Sequence, residues 1–192
     1  MRLVWVVFIL LLFLVAPAYG QQNAEEWLSQ GIAYYNQGGY TDAIRCYDEA
    51  IRINPDDDVA WYNKGLAYAD QGNYAEAIRC WDEAIRINPD DAMAWGNKGV
   101  AYADQGNYAE AIRCYDEAIR IKLDFAVAWN NKGLAYADQG NYVEAIRCFD
   151  EAIRINPDYV NAWYNKGVTL EKQGNYTEAD VAFARARELG LE

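Results

Sequence analysis

The chain contains no histidine in 192 residues. That removes the Ser-His and Cys-His pairs that activate nucleophiles, and it removes imidazole metal sites. Basic charge is also scarce, with 17 Lys and Arg against 29 Asp and Glu. A deficit of that size disfavours nucleic acid and anionic membrane surfaces as partners. Asn63-Lys64-Gly65 lacks the upstream glycine of a phosphate-binding loop. Asp56-Asp57-Asp58 lacks the ligand spacing of a calcium loop and falls where a helix N-terminus welcomes carboxylates. These absences predict neither enzyme, metal nor cofactor.

Long apolar runs are missing too, except at the start. Met1-Arg2 precedes an unbroken apolar stretch, Leu3–Val15, and Ala18-Tyr19-Gly20 offers small residues for cleavage. Residues 1–20 read as a secretory signal peptide, which predicts export to a periplasmic, cell-surface or extracellular location. The other reading is a membrane anchor formed by an uncleaved signal segment, although the run is short of the ~20 residues a span requires. Without Arg2 the chain carries 16 Lys and Arg against 29 Asp and Glu, a net charge of −13.

What is present is repetition. The segment at residues 58–91 returns at 92–125 and 126–159, with looser copies at 24–57 and 160–192, a period of 34 residues. Within it, Trp61, Gly65 and Tyr68 share one helix face, and Ala77, Ile78, Trp81, Ala84 and Ile85 form the stripe of a second helix. Asn73 with Glu76 predicts a capping box for that second helix. Ile87-Asn88-Pro89 predicts its end, with Asn in a left-handed turn and Pro unable to continue a helix. Gly65 and Ala77 predict closely approaching helix axes, with aromatics filling the space beside them. One hairpin cannot enclose its own apolar face, so the copies must stack.

Trp61, Gly65, Tyr68, Ala77, Trp81, Ala84 and Pro89 resemble the tetratricopeptide (TPR) signature, and the resemblance covers residues 24–192. It implies an all-α, right-handed α-solenoid of five stacked helix-turn-helix units. The chain departs from the pattern before the signature glycine, where Lys64, Lys98, Lys132 and Lys166 replace the usual aliphatic residue. The Lys stems are expected to cover apolar surface while their ammonium groups reach water, at some loss of packing.

Several features of the array carry their own expectations. Arg45/Glu49 and Asp48/Arg52 are spaced for i,i+4 ion pairs that recur along the chain. Cys46, Cys80, Cys114 and Cys148 recur every 34 residues. Stacked repeats should separate them by ~10 Å, too far for disulfides, so they are expected to be free and structural. Repeat three reads Ile121-Lys122-Leu123-Asp124 where the others have a proline, which predicts a longer or softer junction. Asn175-Tyr176-Thr177 is a glycosylation sequon whose Asn is also the expected N-cap of the last helix. Ile44 and Ile51, with their counterparts, should press on the next repeat. Repeat five has Asp180 and Arg187 there, while Glu26 stands where later repeats have Ala60, Ala94, Ala128 and Ala162. Polar end faces and a Gly190 C-cap predict a finished, monomeric array. Trp95 is expected in the core.

The TPR resemblance implies that an extended peptide or partner helix binds along the concave side of the first helices. By position that groove holds Tyr62, Asn63, Leu66 and Asp70 from repeat two and Met93, Asn97, Val100 and Asp104 from repeat three. Repeat four adds Asn130, Asn131, Leu134 and Asp138, and repeat five Tyr164 and Asn165. The recurring amides would bond either a ligand backbone or a neighbouring helix. Asp70, Asp104 and Asp138 suit a partner with Lys or Arg among small apolar residues, or else they cap the turns at Gly72, Gly106 and Gly140. The groove carries no cations in repeats two to four, which argues against the clamp that holds chaperone carboxylate tails. The function expected is an adaptor scaffolding an envelope or extracellular complex. The other possibilities are a self-associating structural array and a non-catalytic subunit of an envelope enzyme.

Overall fold

The computed structural model describes residues 22–190; the expected signal peptide at 1–20 lies outside them, as do the last two residues of repeat five. The described residues form ten α-helices and no strands. Repeat one is α1 (Ala24–Asn36) and α2 (Tyr40–Ile53), repeat two α3 (Asp58–Asp70) and α4 (Tyr74–Ile87), and repeat three α5 (Ala92–Asp104) and α6 (Tyr108–Ile121). Repeat four is α7 (Ala126–Asp138) and α8 (Tyr142–Ile155), and repeat five α9 (Val160–Gln173) and α10 (Tyr176–Glu188). None of these helices is long and apolar enough to cross a membrane.

Each hairpin closes over a glycine. Gly72 takes φ +76°, a region that a side chain disfavours, and its amide donates to the Ala69 carbonyl at 2.8 Å while that of Asn73 donates to Tyr68 at 2.9 Å. The last carbonyls of α3 are satisfied by this turn. Asn73 then enters α4 at φ −89°, ψ 67°, and its side chain makes no capping bond. The expected capping box is therefore absent there, and Glu76 pairs with Arg79 instead. A capping box does form at α1, between Asn23 and Glu26. Asp57 accepts from the Ala60 amide at 3.0 Å, so one member of the triple-Asp run is a helix cap.

The second helices end differently from expectation. Asn88 is extended, at φ −126°, ψ 87°, and no residue other than glycine among those described has positive φ. Lys122 repeats this geometry, with φ −123°, ψ 92° and its amide on the Ala118 carbonyl, so α6 ends at Ile121 as its equivalents do. The missing proline therefore does not lengthen the helix. What changes is an anchor. Trp61, Trp95 and Trp163 donate their indole N–H to the carbonyls of Pro55, Pro89 and Pro157 at 3.0, 3.4 and 2.9 Å.

The core is a ladder of aromatic plates laid on glycines. A Cβ built on Gly65 would stand 2.5 Å from Nε1 of Trp81, and Gly99, Gly133 and Gly167 face Tyr115, Phe149 and Phe183 in the same way. Trp81 is 2 % exposed. Trp95 is only half-buried, which corrects its expected place in the core. It shields the outer edge of the hairpin and pins a loop. Ile44 and Ile78 are buried against Ala67 and Ala101 of the following repeats, as the pattern required, and Asp180 and Arg187 are exposed. All four cysteines are free and buried. Burial raises the thiols of Cys80, Cys114 and Cys148 to about 11.

The charged face is wired between repeats. Asp48 pairs with Lys64 of the next repeat at 2.6 Å, and Asp82–Lys98, Asp116–Lys132 and Asp150–Lys166 follow at 2.5, 2.6 and 2.6 Å. The same ammonium groups lie over rings: Lys64 is 5.1 Å from the Trp61 centroid and 5.8 Å from that of Tyr68. Burial lowers the Lys64 pKa, and the Asp48 hydrogen bond and charge more than reverse this. These lysines do not simply reach water; they stitch each repeat to its predecessor. With Asp48 so engaged, Arg52 turns back to Glu49 at 2.8 Å and Arg45 to Asp42 at 3.5 Å, so the local pairs are i,i+3 rather than i,i+4.

Candidate partner-binding groove

First helices of successive repeats touch directly, α1 on α3, α5 on α7 and α7 on α9, whereas second helices of successive repeats do not pack on one another. The stack therefore closes toward its first helices, and their free side is the inner face. The 34-residue period projects one side chain per repeat onto it in register. Val100 and Leu134 are 37 and 38 % exposed, and Ile32, absent from the sequence-derived set, extends their row into repeat one at 36 %. Leu66 lies between Ile32 and Val100 and is half-buried. Met93 is 49 % exposed near the N-terminal end of α5.

Asp70, Asp104 and Asp138 are all exposed at the C-terminal ends of α3, α5 and α7. Asp70 does not cap its turn. It accepts a 2.5 Å hydrogen bond from Tyr35 of the preceding repeat. Burial, reinforced by this carboxylate, holds the Tyr35 hydroxyl well above its ordinary value. Asp104 likewise raises the Tyr74 hydroxyl through a hydrogen bond and its charge. Asp70, Asp104 and Tyr74 share a hollow of about 220 Å³ with Leu66, Val100 and Asn97. The tyrosines escaped the sequence reading because their partners lie 30 and 35 residues away, on another repeat; the 34-residue period itself was the available signal.

The amide row serves the protein itself. Asn63 donates to the Val59 carbonyl of its own helix at 2.8 Å, and Asn97 donates to the Tyr62 hydroxyl at 2.9 Å. Asn165 donates to Asn130 at 2.9 Å, and Asn130 to Asn131 at 3.2 Å. Asn130 is 3 % exposed and unavailable to a ligand, which corrects its place in the expected groove. Tyr62 is half-buried within this network, whereas Tyr164, 43 % exposed, leans on Phe183 with ring centroids 5.8 Å apart. Repeat three has Gly96 at the position of Tyr62, Asn130 and Tyr164, with the Phe125 ring 3.5 Å from where its Cβ would stand. The inner face thus offers apolar and acidic contacts, with most of its amides already engaged.

No three His, Cys, Asp or Glu side chains are grouped for a metal ion among the described residues. Asp58 accepts from Asn88 and Asp56 faces Arg86. Asn175, the expected cap of α10, donates to Gln173 at 3.0 Å instead and is exposed with the rest of its sequon.

A family model described as Tetratricopeptide repeat matches residues 28–79 and 62–124. Two more, described as TPR repeat and Tetratricopeptide repeat, match residues 133–174 and 160–189. No curated protein matches the sequence. Among solved structures, a crystal structure of MamA is 26 % identical, with a TM-score of 0.78 over 83 % of this chain and 93 % of that one. MamA 41-end from Desulfovibrio magneticus RS-1 is 21 % identical, with a TM-score of 0.81 over 88 % and 96 %. YrrB, described as a TPR protein with an unusual peptide-binding site, is 20 % identical, with a TM-score of 0.72 over 88 % and 87 %.

Proposed function

Because the chain belongs to the tetratricopeptide-repeat family, we propose that it is an exported, monomeric adaptor that holds a basic extended segment of a partner along its inner face. One observation carries the reading. The exposed row of Ile32, Val100 and Leu134, completed by Leu66, runs beside Asp70, Asp104 and Asp138 in the same 34-residue register. An extended segment advances ~3.3 Å per residue and would cross successive repeats roughly every three residues, placing Lys or Arg against the carboxylates and small apolar residues between. The Tyr35 bond supports the assignment, since it fixes Asp70 in place rather than leaving it to the turn. Carboxylates at a helix C-terminus oppose the macrodipole, so their own helices do not account for their recurrence. The peptide-binding site attributed to YrrB supports the mode of action by analogy of fold. The apolar leader at Leu3–Val15 supports export, and the groove supports a role in binding rather than chemistry.

The test uses a fluorescent peptide in which Lys alternates with Ala and Val. Its anisotropy should rise with the protein, and the affinity should fall with added salt, given a Debye length of ~8 Å at physiological ionic strength. The triple variant D70N/D104N/D138N keeps the tyrosine acceptors but removes the charge. It should bind weakly and with little salt dependence. Unchanged affinity and unchanged salt dependence would reject the acidic rail as the recognition element.

A further inference from the structure

In repeats two to five the same constellation recurs on the face of each first helix turned away from the groove. A Lys ammonium lies between a Trp three residues before it and, in repeats two to four, a Tyr four residues after. The distances are 5.0 Å from Trp95 and 5.9 Å from Tyr102 for Lys98, and 5.1 Å from Trp129 and 5.8 Å from Tyr136 for Lys132. The protein thus shows what this aromatic pair receives. Repeat one keeps both rings, Trp27 and Tyr34, and replaces the lysine by Gln30. The three line a cleft of about 600 Å³ with α2. No repeat packs on the outer side of α1 among the described residues, so no carboxylate arrives from a predecessor.

We propose that the Trp27–Tyr34 cleft is a second binding site, one that takes an alkylammonium group supplied from outside the repeat array. Gln30 is shorter than Lys and uncharged, and its carbonyl oxygen accepts from the Gln22 amide at 3.1 Å in an exposed contact. The equivalent clefts of repeats two, three and four, with the lysine in place, hold about 400, 500 and 520 Å³, so what distinguishes repeat one is a somewhat wider cleft whose two rings have no ammonium of their own. Counter-charge comes from the cleft wall. Asp48 is engaged by Lys64, but Asp42 is met only by Arg45, at 3.5 Å and with that side chain 79 % exposed, so it is free to turn to an incoming cation. Glu26 stands exposed where later repeats have a buried alanine, which discourages a stacked helix at this end. A single flexible ammonium fits the site better than a further hairpin does. The site is independent of the groove and survives rejection of the acidic rail.

The experiment follows the Trp27 indole N–H by NMR in the full chain, assigned through W27F. The probes are the peptide Ac-Gly-Lys-Gly-NH2, its Nε-acetyl-lysine form, and n-butylammonium. The lysine peptide should shift Trp27 saturably, the acetylated form should bind at least tenfold more weakly, and Q30K should abolish the shift by filling the cage from within. A greater shift with the peptide than with n-butylammonium identifies a partner's lysine as the source. Equal shifts identify a free amine, and either result supports the site. The proposal is overturned if Trp27 does not respond, if the acetylated peptide binds equally well, or if binding persists in Q30K. Because Q30K recreates the arrangement of the later repeats, its fold is secure, and its own Trp27 shift reports whether the cage accepts an ammonium at all.

Discussion

Replacing Gly65 with alanine sets two effects of opposite sign against each other. Helix propensity favours alanine over glycine by ~1 kcal/mol in a helix interior. Sterics oppose it. The new Cβ would stand 2.5 Å from Nε1 and 2.8 Å from Cδ1 and Cε2 of Trp81, inside the 3.4 Å at which ordinary contact begins. Trp81 cannot easily yield, because it is 2 % exposed and its indole N–H donates to the Tyr62 carbonyl at 3.3 Å. Overpacking of this kind costs ~1–3 kcal/mol, and here the clash involves an indole held on both sides. The steric term should win, and G65A should be destabilised by ~0.5–2 kcal/mol. Urea denaturation followed by circular dichroism and by tryptophan fluorescence measures it, with both probes needed because repeat arrays can lose two-state cooperativity. The double variant G65A/W81L supplies the decisive control. With the indole gone the new methyl has room, so the two changes should couple by ~1 kcal/mol or more. If G65A were more stable than the parent, or if the two changes were simply additive, the glycine would not be where it is to seat the aromatic plate.

Trp81→Ala should cost ~3–5 kcal/mol by chemical denaturation, the range for a buried Trp, while Trp95→Ala should cost clearly less because that ring is half-buried; equal losses would refute the burial difference. The raised thiols of Cys80, Cys114 and Cys148 make the folded state hold its protons more tightly than the unfolded chain does. Stability should be unaffected below about pH 9 and fall between about 9 and 11, by up to ~3 kcal/mol for each thiol, and C80A should flatten that slope in urea titrations across the window. Changing Asp180 and Arg187 to Ile restores the residues that press on a following repeat elsewhere. The double variant should associate end to end by sedimentation, and a monomer would show that this face is not held open by its charges.

The sequence by itself determined the fold, because the relevant physics is local and repeated. A 34-residue period, a glycine-aromatic pairing and an isoleucine stripe each say which face is buried, and five copies in phase leave one way to bury them. The close approach at Gly65 and the packing of Ile78 on the next repeat were legible for that reason, as were the four unpaired cysteines; that the ring laid on Gly65 is Trp81 and the partner of Ile78 is Ala101 came from the structure. What the tertiary structure decided is which polar groups find one another. Asp48 had an arginine four residues away, yet it pairs with Lys64 of the next repeat, because stacking brings that lysine's half-buried ammonium to it. Asn73 had the sequence of a cap but entered its helix at an angle set by Gly72, and its side chain makes no capping bond. The asparagines of the inner face offered the right chemistry for a ligand, but Asn63 bonds Val59 of its own helix, and the approach of first helix to first helix committed Asn97 to Tyr62 and Asn165 to Asn130. Apolar burial is dictated by pattern along the chain. Hydrogen bonds and ion pairs are settled by which surfaces the stack brings within 3 Å, and a period alone does not carry that distance.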